Sequence, residues 1–139
     1  VIQFFCAFRP PTVTAQEHQV TVVRGKPRFY DPPAVKDART LLLAHVGPHA
    51  PAEPLDGPVR LITKWLFPLT GKHYDGEWRE TKPDTDNLQK LLKDVMSKAG
   101  FWQNDARVAS ETAEKFWASR PGLFIRLEPL MQPPRPPRS

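Results

Sequence analysis

Cysteine is almost absent: Cys6 stands alone among 139 residues. One thiol can neither close a disulfide within the chain nor build a cysteine zinc site, and it predicts a reducing, cytoplasmic setting. Long apolar runs are absent as well. Nothing approaches the roughly 18 to 20 residues of a membrane-spanning helix, and the N-terminus lacks the basic flank and apolar run of a secretory signal, so no membrane partner is expected. The four histidines, His18, His45, His49 and His73, show no metal-ligand spacing. No glycine-rich phosphate loop, Ser/His/Asp arrangement or internal repeat occurs.

Proline, by contrast, is abundant. The 17 prolines are about twice the usual share, and many lie near the ends or between apolar runs, where they act as punctuation. The length suits one domain, expected over residues 1–129, followed by a proline-rich tail over 130–139 that favours an extended polyproline conformation. A tail of this kind can serve as a recognition motif or as a simple disordered end. The formal net charge of +5 favours a polyanionic partner. Between residues 82 and 105 the charges balance, with Lys82, Lys90, Lys93 and Lys98 set against Asp84, Asp86, Asp94 and Asp105. The excess therefore lies outside that stretch, as expected of an acidic pocket embedded in a basic surface.

The pattern of elements predicts an α+β fold, a mixed β-sheet with helices packed on it. Val1 to Phe8 is a strand stopped by Arg9-Pro10-Pro11. His18 to Val23 and Arg28 to Tyr30 form a hairpin around Arg24-Gly25-Lys26-Pro27. Its cations Arg24, Lys26 and Arg28 are either a solvated tip or a phosphate-contacting arm. Pro33 to Val46 is helical, with Val35, Ala38, Leu41, Leu42 and His45 near one face. Val59 to Leu66 alternates as a strand, and Pro68 to Thr81 is a loop. Its His73, Tyr74 and Trp78 either pack on the body or stack on a nucleobase. Asp86 or Asn87 to Lys98 is the strongest helix, with Leu88, Leu91, Leu92, Val95, Met96 and Ala99 in one stripe and Gly100 as its C-cap. Phe101 and Trp102 fold back onto the body. Extended segments from Ala106 to Trp117 and from Leu123 to Leu127 complete the order.

Chemistry concentrates in Lys82 to Asp105. Asp84 and Asp86 supply the hard oxygens that magnesium and manganese prefer, and in an extended segment residues i and i+2 point to one side. The rival reading is that Asp84 or Asp86 merely caps the following helix. Lys90, one turn beyond Asp86, can neutralise a phosphate, or form an ordinary i,i+4 ion pair with Asp86 or Asp94. Spacing alone does not place Asp105. If these groups assemble, they suit metal-assisted phosphodiester hydrolysis.

The run Lys-Pro-Asp-Thr-Asp-Asn-Leu-Gln-Lys (82–90), then Asp94, then Gly-Phe-Trp-Gln-Asn-Asp (100–105), resembles the RusA family of Holliday junction resolvases. The match is dense over residues 82–108 and weaker elsewhere. The resemblance implies a RusA-like homodimer, cytoplasmic and bacterial or phage-encoded, acting on branched double-stranded DNA in recombination and repair. It implies a magnesium-dependent endonuclease, with manganese as a substitute, that cuts four-way junctions by paired nicks. On that basis Asp84, Asp86 and Asp105 match the catalytic, metal-holding carboxylates and Lys90 the functional lysine, while Asp94 falls on a recurrent acidic position. Arg24, Lys26, Arg28 and Lys82 are the expected DNA contacts. Where family members often carry two adjacent aspartates this chain has Asn104-Asp105, which leaves one carboxylate and an amide oxygen. That departure keeps open an alternative, a non-catalytic junction-binding protein of the same fold.

Overall fold

A computed structural model of the chain describes residues 1–14, 19–23, 25–30 and 33–138. Among these residues, six strands and two α-helices follow in the order β1 (Ile2–Cys6), β2 (Gln19–Val23), β3 (Lys26–Tyr30), α1 (Pro33–Val46), β4 (Val59–Pro68), α2 (Thr85–Ala99), β5 (Val108–Ala118) and β6 (Gly122–Pro129). β2 and β3 make a separate antiparallel hairpin. The other four strands form one mixed sheet in the order β1-β6-β4-β5. β4 and β5 are parallel, while β6 runs antiparallel to both β4 and β1. A parallel pair needs a long crossover, and α2 lies within the segment that supplies it. The result is a single α+β domain with two helices and a four-stranded mixed sheet.

β4 shows why the sheet has an inside and an outside. Val59, Leu61, Thr63, Trp65 and Phe67 are all fully buried, whereas Lys64 is exposed and Arg60, Ile62 and Leu66 are half-buried. This is the period-two alternation of a strand covered on one face. The buried face packs with Leu88, Leu91, Leu92, Val95 and Met96 of α2 and with Ala38, Leu42 and Val46 of α1 in one core. On α1 the apolar stripe runs through Val35, Ala38, Leu42 and Val46; Leu41, expected inside, is turned outward. Residues 41 and 42 are separated by about 100° around a helix, so one narrow stripe cannot bury both equally. Phe101 and Trp102 are buried as expected, Trp102 donating from Nε1 to Ser97 Oγ at 2.8 Å.

The opposite face of the sheet is tied by a polar row crossing all four strands. Arg126 donates to Gln3 at 2.6 Å and to Glu128 at 2.9 Å, and Arg60 donates to Glu128 at 3.0 Å and to Ser110 at 3.3 Å. These hydrogen bonds, first from Arg126 and then from Arg60, hold the Glu128 carboxyl below its ordinary range. Cys6 is buried as a free thiol and donates to the His45 carbonyl at 3.3 Å, joining β1 to α1. No helix among the described residues is long and apolar enough to cross a membrane.

Candidate active site between α2 and β5

α2 begins one to two residues earlier than its apolar periodicity suggests, and this changes the relation between the two leading aspartates. Asp84 is the N-cap, with extended backbone at φ −73° and ψ 147°, whereas Asp86 already lies in the first helical turn. The pair therefore does not occupy one continuous extended segment. Capping does not consume Asp84 either, because its side chain makes no cap hydrogen bond. Asp86 is not the cap; its charge sits among the free N–H groups of the first turn, where an anion is favoured. At the other end Gly100 adopts φ 93°, and Phe101 N–H closes back onto the Met96 carbonyl at 3.0 Å, the glycine-terminated ending that the sequence predicts.

A cleft of about 550 Å³ runs between α2 and β5, lined by Thr85, Asp86, Gln89, Lys90, Lys93, Asp105, Glu111 and Ala113. Asp86, Lys90 and Asp105 are thus brought to one cleft. Among the described residues neither aspartate side chain has a hydrogen-bond or ion-pair partner, and Lys90 pairs with neither Asp86 nor Asp94. The carboxylates are distributed along the cleft. Asp86 stands in the first turn of α2, Asp105 opens the one-turn 3₁₀ helix leading into β5, and Glu111 lies farther along that strand. No group of three or more His, Cys, Asp or Glu among the described residues is gathered closely enough to form a metal-binding cluster. The donor chemistry fits a hard divalent cation, but the carboxylates are not drawn into one coordination sphere.

Asp94 is placed elsewhere, 3.9 Å from Arg39 of α1. Asn104 caps the 3₁₀ turn, its Oδ1 accepting from Ala106 N–H at 3.0 Å. That oxygen is engaged with the backbone beside Asp105. Lys82 is exposed, and its carbonyl is held by Arg79. Arg24 lies outside the described residues, as do the side chains of Lys26 and Arg28, whose backbones belong to β3.

Four further residues shape the site. Gln89 is buried although it is polar: its Oε1 accepts from Thr63 Oγ1 at 2.8 Å and Trp65 Nε1 at 2.9 Å, and its Nε2 donates to Glu111 at 3.0 Å. Lys93 donates to the other Glu111 oxygen at 3.2 Å. Glu111 is therefore oriented from two positions on α2. Lys115 donates from Nζ to the carbonyls of Thr81 and Pro83, each at 2.6 Å, just before Asp84. Burial lowers the Lys115 pKa first, the neighbouring Arg79 charge lowers it further, and Asp84 acts in the opposite sense. Gln89 lies within the motif run, where its polar side chain gives no local signal of burial. Glu111 and Lys115 lie outside it, and only the tertiary pairing of strands with α2 could have found them.

The aromatics of the loop before Asp84 divide between packing on the body and exposure. His73 stacks on Trp117 at 3.8 Å between ring centroids. Trp78 pairs with Phe116 at the edge of β5, at 4.4 Å, while remaining 62% exposed, and Tyr74 is 68% exposed.

The family model described as "Endodeoxyribonuclease RusA" matches residues 9–128. A protein of Lactococcus phage r1t, described as "Crossover junction endodeoxyribonuclease rusA", is 28% identical over 104 residues, covering 73% of this chain and 78% of the phage protein.

Proposed function

Because the chain belongs to the RusA family of endodeoxyribonucleases, we propose that it is a structure-selective nuclease that resolves four-way DNA junctions by paired, divalent-metal-dependent nicks in recombination and repair. The observation that carries this reading is the cleft in which Asp86, Lys90 and Asp105 meet, two uncommitted carboxylates and a cation on a basic protein. The description of the phage relative as a crossover junction enzyme supports the choice of substrate. Asp86 and Asp105, which line the cleft, and Asp84, the N-cap of α2 outside that lining, would hold magnesium, with manganese as a substitute; Asp94, 3.9 Å from Arg39, stands elsewhere. A bound divalent cation lowers the pKa of an attacking water and stabilises the leaving oxygen.

The protein's own groups would do the rest. Lys90 donates to a non-bridging phosphate oxygen, and Glu111, held by Gln89 and Lys93, adds negative charge on the β5 side of the cleft. Lys82, with Arg24, Lys26 and Arg28, contacts the DNA backbone, which fixes register without reading sequence. A homodimer suits the substrate because two symmetric sites can nick two strands of a symmetric junction. We assign these roles to residues 1–129 and leave residues 130–139 as the tail, of which 131–138 are exposed and outside any helix or strand.

The first test is cleavage of a synthetic four-way junction with magnesium by wild type and Asp86→Asn. Nicking should fall at least about a hundredfold, since charge stabilisation by a metal is worth several kcal/mol and each 1.4 kcal/mol is a factor of ten. Junction binding should persist, and equal nicking by both proteins would remove Asp86 from the site. The engaged oxygen of Asn104 and the dispersed carboxylates favour a second reading, a junction-binding protein without catalysis. Binding by wild type with no nicking in either magnesium or manganese would select it.

A further inference from the structure

Three consecutive carbonyls lead into Asp84, and two cations hold all of them. Lys115 Nζ takes those of Thr81 and Pro83, each at 2.6 Å, and Arg79 takes that of Lys82 through Nε at 3.2 Å and Nη2 at 2.5 Å. Both cations rest on the sheet. Lys115 lies within β5, in register with Trp65 of β4. Arg79 N–H donates to the Lys115 carbonyl at 3.0 Å, and its guanidinium lies over Phe67 at 4.3 Å and Trp117 at 4.4 Å. The Trp117 ring is itself stacked with His73.

We propose that Arg79 and Lys115 are positioning residues, a clasp on the 81–83 carbonyls that sets the direction in which Asp84 presents its carboxylate. The proposal rests on the reading of Asp84 as a metal-holding group. Asp84 makes no capping bond, so its orientation is not fixed by the turn it begins. On its helical side α2 holds the backbone, Leu88 N–H donating to the Asp84 carbonyl at 3.1 Å. On the other side, among the described residues, the hydrogen bonds that hold the backbone directly before it are those to the three clasped carbonyls, beside the packing of buried Pro83. Water could satisfy exposed carbonyls, but it would not fix them to the sheet. Metal ligands need placement within about half an ångström by side chains that are themselves immobilised.

The test compares wild type, Lys115→Met, Lys115→Arg and Arg79→Met. Mn²⁺ binding is followed by electron paramagnetic resonance, amide hydrogen exchange across residues 81–86 by mass spectrometry, and fold by circular dichroism. Loss of outer-shell support typically costs 10- to 100-fold in metal affinity, so Lys115→Met and Arg79→Met should each weaken Mn²⁺ binding at least about tenfold. Both should accelerate exchange across 81–86, and Lys115→Arg, which keeps the donors and the charge, should recover most of the loss. Wild-type Mn²⁺ affinity in either folded methionine variant overturns the proposal, as does unchanged exchange. If Lys115→Met fails to fold, Arg79→Met decides by the same criteria. A wild type that binds no Mn²⁺ overturns the metal reading itself, a failure told apart from failure of the clasp because exchange across 81–86 reports the clasp alone.

Discussion

Gln89 joins the core to the cleft. Its side-chain oxygen is the acceptor for both the Thr63 hydroxyl and the Trp65 indole, two buried donors of β4, although Thr63 Oγ1 also reaches the Thr112 carbonyl at 3.3 Å. Truncation strands the indole N–H and removes one of the two donors that orient Glu111. Leaving a buried donor unpaired costs about 1–3 kcal/mol, so Gln89→Ala should lower the unfolding free energy by about that amount in urea titrations. A loss below about 0.5 kcal/mol would mean that water replaces the amide. Asn87 shows the opposite case, its Oδ1 buried with no hydrogen-bond partner, one residue from Asp86.

Elements decide which of these residues meet. The parallel pairing of β4 with β5 requires a crossover, and α2 lies within it beside β5. That is how Asp105, 19 positions from Asp86 in sequence, comes to line the same cleft. The other side of the sheet depends on how closely β6 approaches β1. Gly122 faces the Phe5 ring, and a Cβ there would also lie 2.6 Å from the Cys6 carbonyl. A backbone carbonyl cannot move aside cheaply, and overpacking typically costs about 1–3 kcal/mol. Gly122→Ala should therefore destabilise by that amount in denaturant melts while leaving junction affinity, measured in Ca²⁺, unchanged. A variant as stable as wild type would show that the β1–β6 edge can open to admit a methyl.

At the scale of the molecule, the excess positive charge has to be assigned to surfaces. If the β2–β3 hairpin is a phosphate-contacting arm, replacing Lys26 and Arg28 by Ala should weaken junction binding and reduce the slope of log affinity against log salt by about 0.9 per lost contact. If it is a solvated tip, both affinity and slope should match wild type. Filter binding across a series of salt concentrations distinguishes the two. Neither outcome bears on Asp86 or Asp105, so substrate recruitment and cleavage can be tested independently.

Residues whose partners lie close in sequence were legible before any tertiary structure. The α2 stripe, the Gly100 ending, the alternation of β4 and the return of Phe101 and Trp102 all follow from side-chain periodicity and local backbone preference. The motif run also marked Asp84, Asp86, Lys90 and Asp105 as belonging together, through resemblance rather than spacing. Periodicity was weaker on α1, where Leu41 and Leu42 competed for one stripe, and on β5, an edge strand only partly covered. What only the tertiary structure decided is which side chains are already engaged. Asp94 turns to Arg39, the Asn104 oxygen caps its own turn, Glu111 enters the cleft, and Lys115 and Arg79 close on the carbonyls before Asp84. All but the Asn104 cap, a contact with Ala106 two residues on, depend on a strand or helix distant in sequence. Local propensity sets where the Lys82 to Asp105 stretch becomes helical, whereas the cleft that Asp86 shares with Asp105 and Glu111 exists only once β5 lies against β4.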